Sequence, residues 1–163
     1  MLTYQLKSSC LHPMKTAPGY DLVIRLLDTA NTLVRESRRL FRPHGLTEAQ
    51  FNVLNVLGPA PAGLSQRELS DVLVVDRSNT TIMLQRMEEN GWVRRSPHPD
   101  DGRIQVVTLT PTGRRLWQKV LPQYVAAVAE VTAVLRNAEL TQLMAGCEKL
   151  GRSAREWGSR HEN

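Results

Sequence analysis

Cysteine is scarce in this chain, with only Cys10 and Cys147 among 163 residues. Two are too few for a disulfide framework, and neither has CxxC or histidine-rich company, which fits a reducing, cytoplasmic setting. Long apolar runs are missing as well. Nothing approaches the ~18 to 20 residues that span a bilayer, and the N-terminus offers Lys7 with no apolar stretch behind it, so neither membrane insertion nor secretion is expected. The four histidines, His12, His44, His98 and His161, show no ligand spacing, which gives metal sensing little support. There is no nucleophile elbow, no Gly-rich phosphate loop and no HExxH, so neither an enzyme nor a cofactor is expected.

What is present is ordinary globular composition, 41% hydrophobic and 23% charged, at a length suited to about one domain of roughly 150 residues. Charge is the exception. Twenty-one Lys+Arg against 16 Asp+Glu give a net +5, which favours a polyanionic partner. The excess is uneven: residues 65–115 hold 8 basic and 7 acidic groups, a net +1, whereas residues 1–45 hold 7 and 3, a net +4. Much of the latter falls on Arg35, Arg38, Arg39 and Arg42.

Residues 1–19 lack sustained periodicity and are expected to form an arm. From Tyr20 to Phe41, apolar residues at three- and four-residue steps predict an amphipathic helix, stopped by Pro43 and Gly45. Thr47 and Gln50 form a capping box for a shorter helix that ends at Gly58-Pro59. Ser65 and Glu68 form another, with Leu64 and Leu69 as a hydrophobic staple, for a third helix ending near Leu73. Asp76 is placed to cap a fourth helix from Arg77 to about Glu89, with Gly91 as a left-handed stop. The period then changes to that of strands. Trp92–Arg95 and Ile104–Leu109 flank a tip, Ser96 to Gly102, rich in turn formers. Thr110-Pro111 starts a long helix interrupted by Pro122, which should kink it. A last helix after Asn137 carries Leu140, Leu143, Cys147, Leu150, Ala154 and Trp157 in one stripe, where Cys147 reads as a small core residue.

Helix, turn, helix and hairpin is the winged helix-turn-helix plan, whose second helix enters the major groove. The predicted fold class is therefore mainly α with a small β wing. The winged region covers 47–109 within one domain, 20–163, and is flanked by dimerisation helices at 20–43 and 111–157. Leu69–Thr81, Leu84–Arg95 with its Gly91-Trp92-Val93 turn, Asp100-Asp101-Gly102-Arg103 and Leu109-Thr110-Pro111-Thr112-Gly113 together resemble the MarR family of transcriptional regulators. The resemblance covers about residues 20–157. Its most specific part is the joint spacing of these four pieces.

On the fourth helix Thr80, Leu84 and Met87 make a core stripe, leaving Arg77, Ser78, Asn79, Thr81 and Gln85 to meet DNA. Arg77 and Gln85 are the best base readers, because guanidinium suits guanine and a carboxamide suits adenine. Ile82 replaces the polar or basic residue usual in the family, and either touches a thymine methyl or covers the helix. The resemblance nominates Arg103 for the minor groove, aimed by Asp101. Arg94 and Arg95 read as phosphate contacts and Gln66 as a phosphate site at a helix N-terminus. Arg86 is either a structural partner of Asp101 or Glu89 or a further contact.

The winged region is small enough to fold without the flanking helices, so their apolar seams need a second copy. The resemblance implies a two-fold homodimer on a pseudo-palindromic double-stranded operator. It also implies a repressor released by a phenolic or aromatic carboxylate effector, in a crevice approached by His44, Phe51 and Trp117. Two alternatives stand beside it: oxidant sensing through Cys10, and a winged-helix protein-interaction module without DNA binding.

Overall fold

The computed structural model describes residues 18–73, 77–98 and 101–161, the side chains of residues 77–79 excepted. The arm up to residue 17 with Cys10, the cap at Asp76, and Asp100 lie outside the described residues. Helix α1 spans Pro18–Phe41 and runs into a 3₁₀ turn, Arg42–His44. Helix α2 is Glu48–Leu57, β1 is Leu64–Ser65, α3 is Gln66–Leu73 and α4 is Arg77–Glu89. The wing is β2, Val93–Pro97, and β3, Gln105–Leu109, followed by α5, Pro111–Thr132, and α6, Asn137–His161.

The caps explain the boundaries. Thr47 Oγ1 accepts from the Gln50 N–H at 3.2 Å while Gln50 Oε1 accepts from the Thr47 N–H at 2.9 Å, satisfying two orphan donors of α2. The same reciprocal pair joins Ser65 and Glu68 at the head of α3. Helix α4 stops at Gly91, φ +68°, where the Gly91 N–H reaches Glu88 O and the Trp92 N–H reaches Met87 O, a Schellman closure that needs a residue without Cβ strain. Thr110 caps α5, accepting from the Gly113 N–H at 3.0 Å, with Pro111 at the first helical position.

Several expectations are corrected. Pro18 and Gly19, the first described residues, belong to helix α1 rather than to the arm. The sheet has three strands in the order β1-β3-β2, all antiparallel, with Leu64 opposite Val107 and Ser65 opposite Val106. The two-residue β1 carries no periodicity of its own. Ser96 and Pro97 lie in β2, paired with Val106 and Gln105, and Pro97 is tolerated because β2 is an edge strand. Pro122 lies inside α5, which continues on both sides of it.

One core holds the winged region together and draws on the flanking helices. Phe51, Leu54 and Leu57 from α2, Leu69 from α3, Leu84 and Met87 from α4, and Val93 and Val107 from the wing are all buried. Phe41 from the end of α1 and Val120 from α5 are buried in the same cluster, so the winged region is completed by them rather than self-sufficient. The Phe41 and Phe51 rings stack at 4.7 Å, and Tyr124 of α5 lies 5.0 Å from Phe51. Beyond this the flanking helices are bare. Helix α6 has no buried residue, and Cys147 is exposed on it, which corrects its assignment to a core. Among the described residues, no helix is long and apolar enough to cross a membrane, and no group of His, Cys, Asp or Glu could hold a metal ion.

Candidate nucleic-acid interface

Helix α4 turns one face inward and the other out. Thr80, Leu84 and Met87 have no exposed surface, as their three- and four-residue spacing requires. Thr81, Ile82, Gln85, Arg86 and Glu89 are exposed on the remaining arc. Arg77, Ser78 and Asn79 stand in the first turn of α4, and their side chains lie outside the described ones. Gln85 is held in extension along the helix by a 3.1 Å bond from its Nε2 to Glu89 Oε1, an exposed bond that a base edge can replace.

Helix α3 is fastened to this face by Gln66, whose Nε2 donates to Thr81 Oγ1 at 2.6 Å. The amide read as a phosphate donor thus bridges to the recognition helix. Glu68, behind it, is held below the usual carboxylate range by bonds from the Ser65 side chain and backbone N–H.

The wing contributes two arginines of different kinds. Arg95 donates to Glu88 three times, from its backbone N–H at 3.0 Å, from Nε at 2.8 Å and from NH2 at 2.6 Å. These bonds, the side-chain ones foremost, hold the Glu88 carboxyl below its ordinary value. Arg95 is consequently a brace between β2 and the end of α4, with Nε and NH2 of its partly exposed guanidinium engaged by Glu88. Arg94, one residue earlier in a strand whose side chains alternate, points to the exposed face. At the tip, the Arg103 backbone N–H donates to Asp101 Oδ1 at 3.0 Å, so Asp101 shapes the loop backbone while the guanidinium stays exposed.

Arg86, Arg94 and Arg103 are in no ion pair among the described residues, which removes the structural pairing of Arg86 with Asp101 or Glu89. Arg86 thereby joins the exposed cations of this surface. The sequence left it undecided because both carboxylates were plausible neighbours by spacing. The outer face of one helix, framed by exposed wing arginines and stiffened behind by Gln66 and Arg95, suits insertion into a groove lined with phosphate.

The profile of the MarR family matches residues 44–104, a stretch that includes α2 to α4 and most of the wing. Over that stretch the chain is similar to the MarR family. The curated relatives it resembles are named as regulators of transcription. One, the transcriptional activatory protein BadR of Rhodopseudomonas palustris, is 38% identical over 60% of this chain and 57% of its own length. Another, the homoprotocatechuate degradative operon repressor of Escherichia coli, is 28% identical over 83% of this chain and 93% of its own. Among solved structures, a MarR variant from E. coli complexed with operator DNA superposes with a TM-score of 0.65 at 29% identity, covering 82% of this chain and 99% of that one. Within this MarR family fold the three residues read as effector contacts all lie along α5, at separate points. His44 Nε2 is 3.3 Å from Gln123 Oε1, Trp117 Nε1 donates to Asn55 Oδ1 at 3.3 Å, and Phe51 is fully buried against Tyr124.

Proposed function

We propose that this protein is a homodimeric regulator that binds double-stranded DNA in a sequence-specific manner, with α4 in the major groove and the wing in the minor groove. The observation that carries the reading is the outer face of α4, with Thr81, Gln85 and Arg86 exposed beside Arg94 and Arg103. Arg77, Ser78 and Asn79 of the same helix, and Gln85, read base edges or phosphates; Arg94 and Arg86 contact phosphate; Arg103 enters the minor groove. Gln66, Asp101 and Arg95 act by holding these elements in place. The MarR relative complexed with operator DNA supports this assignment.

The partner chain is a second copy. Helix α6 buries nothing, and its Leu143, Met144, Leu150 and Trp157 are exposed together with Leu27, Leu33 and Val34 of α1. So much bare apolar surface on two helices of a monomer is accounted for by burial against the same helices of a two-fold mate. Two α4 helices so related read half-sites about one turn of DNA, roughly 34 Å, apart. The effector is an aromatic acid or phenol, in keeping with the relative named for homoprotocatechuate degradation. His44 and Trp117 border its site between α2 and α5, and Phe51 reaches it when those helices separate. The named relatives include both an activatory protein and a repressor, and release of a repressor is the reading adopted here.

Binding to random duplex DNA across a salt series tests the function. A reader of this kind binds tightly at low salt and weakens steeply as salt rises, and the double substitution Arg77→Ala with Arg103→Ala abolishes most of the affinity. Absence of binding by the wild type at low salt would point instead to a protein-interaction module.

A further inference from the structure

Seventeen large apolar side chains are exposed among the described residues, and fourteen of them lie on α1, on α6, or on α5 and the turn after it. The proposed dimer accounts for that group. Of the other three, Val72 is on α3, Ile104 is at the wing, and Ile82 is on α4, 54% exposed. Ile82 has an unusual position. With about 100° of rotation per residue it stands nearly opposite the buried stripe of Thr80, Leu84 and Met87, in the middle of the helix's outward face. Gln85 lies one turn ahead of it and Thr81 beside it, both exposed. A β-branched residue gains α4 nothing there: it packs on no core, and its helix propensity is below that of alanine or the long polar residues. A single apolar side chain ringed by polar ones is also too small a patch for a protein partner.

The major groove offers one apolar feature, the C5-methyl group of thymine, in the same surface that displays the hydrogen-bonding edges. We propose that Ile82 is a specificity-determining residue that packs on the C5-methyl group of one thymine in each half-site, next to the base addressed by Gln85. The assignment rests on the DNA reading above and deepens it. The chemistry recognised is the methyl group, so 5-methylcytosine satisfies Ile82 as well as thymine does.

The test begins by enriching bound sequences from a random duplex pool with the wild-type protein and with the Ile82→Ala variant, whose exposed position and better helix former leave the fold intact, as a thermal melt verifies. Each thymine of the wild-type consensus is then replaced singly by uracil, which deletes only the methyl. One thymine per half-site should cost the wild type about four-fold in affinity, the factor for one buried methyl group, and cost the Ile82→Ala variant nothing. Replacing the uracil pair by a 5-methylcytosine·guanine pair should leave the methyl contact in place, so that 5-methylcytosine binds the wild type more tightly than cytosine at that position. If every uracil substitution affects both proteins equally, the assignment of Ile82 is overturned and the DNA reading survives. If the wild type enriches no sequence at all, both fall together.

Discussion

Glu88 and Arg95 are seven positions apart, one at the end of a helix and the other in a strand, and their three bonds tie the two most important elements of the interface. Arg95→Ala should cost about 1 to 2 kcal/mol of folding stability, a value limited by the partial exposure of both groups. DNA affinity should fall with it, but the dependence of log K on log salt should keep its slope. Arg94→Ala should do the reverse, leaving the melting temperature nearly unchanged and flattening the slope by about one unit, as loss of one phosphate contact requires. Denaturant melts and salt titrations on the two variants separate the roles. The same pair sets a pH dependence. Because the folded protein holds the carboxyls of Glu88 and Glu68 below their ordinary value, their contribution is fully present above about pH 4.3 and is lost as pH falls through the lower, folded values. Glu88→Gln should therefore lower stability at pH 7 and reduce the further loss between about pH 4.5 and 3, as followed by thermal melts. None of this was legible from spacing. Arg94 and Arg95 are identical in type and adjacent, and only the alternation of the strand and the reach of Glu88 distinguish them.

Among the elements, those announced by local chemistry were read correctly: the capping boxes at Thr47 and Ser65, the glycine stop at Gly91 and the Thr110-Pro111 start all stand where their residues placed them. The core stripe of α4 was equally plain, because burial enforces the helical period. What was missed depends on distant partners. Strand β1 exists because Leu64 and Ser65 meet Val107 and Val106 some forty residues later, and Gly63, at φ +82°, lets the chain approach β3 where a side chain would strike the Val107 carbonyl. The Gln66 amide was assigned outward because nothing local announces Thr81. The junction of wing and α5 depends on a similar close approach. A Cβ on Gly113 would strike the Trp92 carbonyl, while the Thr110 hydroxyl donates to Gly91 O at 2.6 Å, and Arg114 NH1 donates to Gly58 O at 3.1 Å. Backbone cannot yield as a side-chain tip can, so Gly113→Ala should destabilise the protein by about 2 to 3 kcal/mol, measured by denaturant unfolding. It should also weaken DNA binding, since the strand that α5 would displace leads directly from α4.

At the scale of the whole molecule, the bare apolar faces of α1, α5 and α6 predict that a monomer is not the resting state. Sedimentation should give a dimer, and the pair Leu143→Glu with Leu150→Glu should shift it to monomer while the melting of the winged core changes little, since neither residue is buried in it. Operator affinity should drop far more than random-DNA affinity, because only the former needs two readers at a fixed separation. The fixed end of α5 then takes on a further meaning. Its first turn is clamped to the base of α4 and the wing, its far half belongs to the proposed dimer, and its 22 residues reach about 33 Å. Such a rod is a lever. A tilt of about 5° at the dimer end carries the other end roughly 3 Å, close to the ~3.4 Å step between base pairs, so a repacking no larger than a side-chain rotation is geared into a mismatch of one base pair between the two readers.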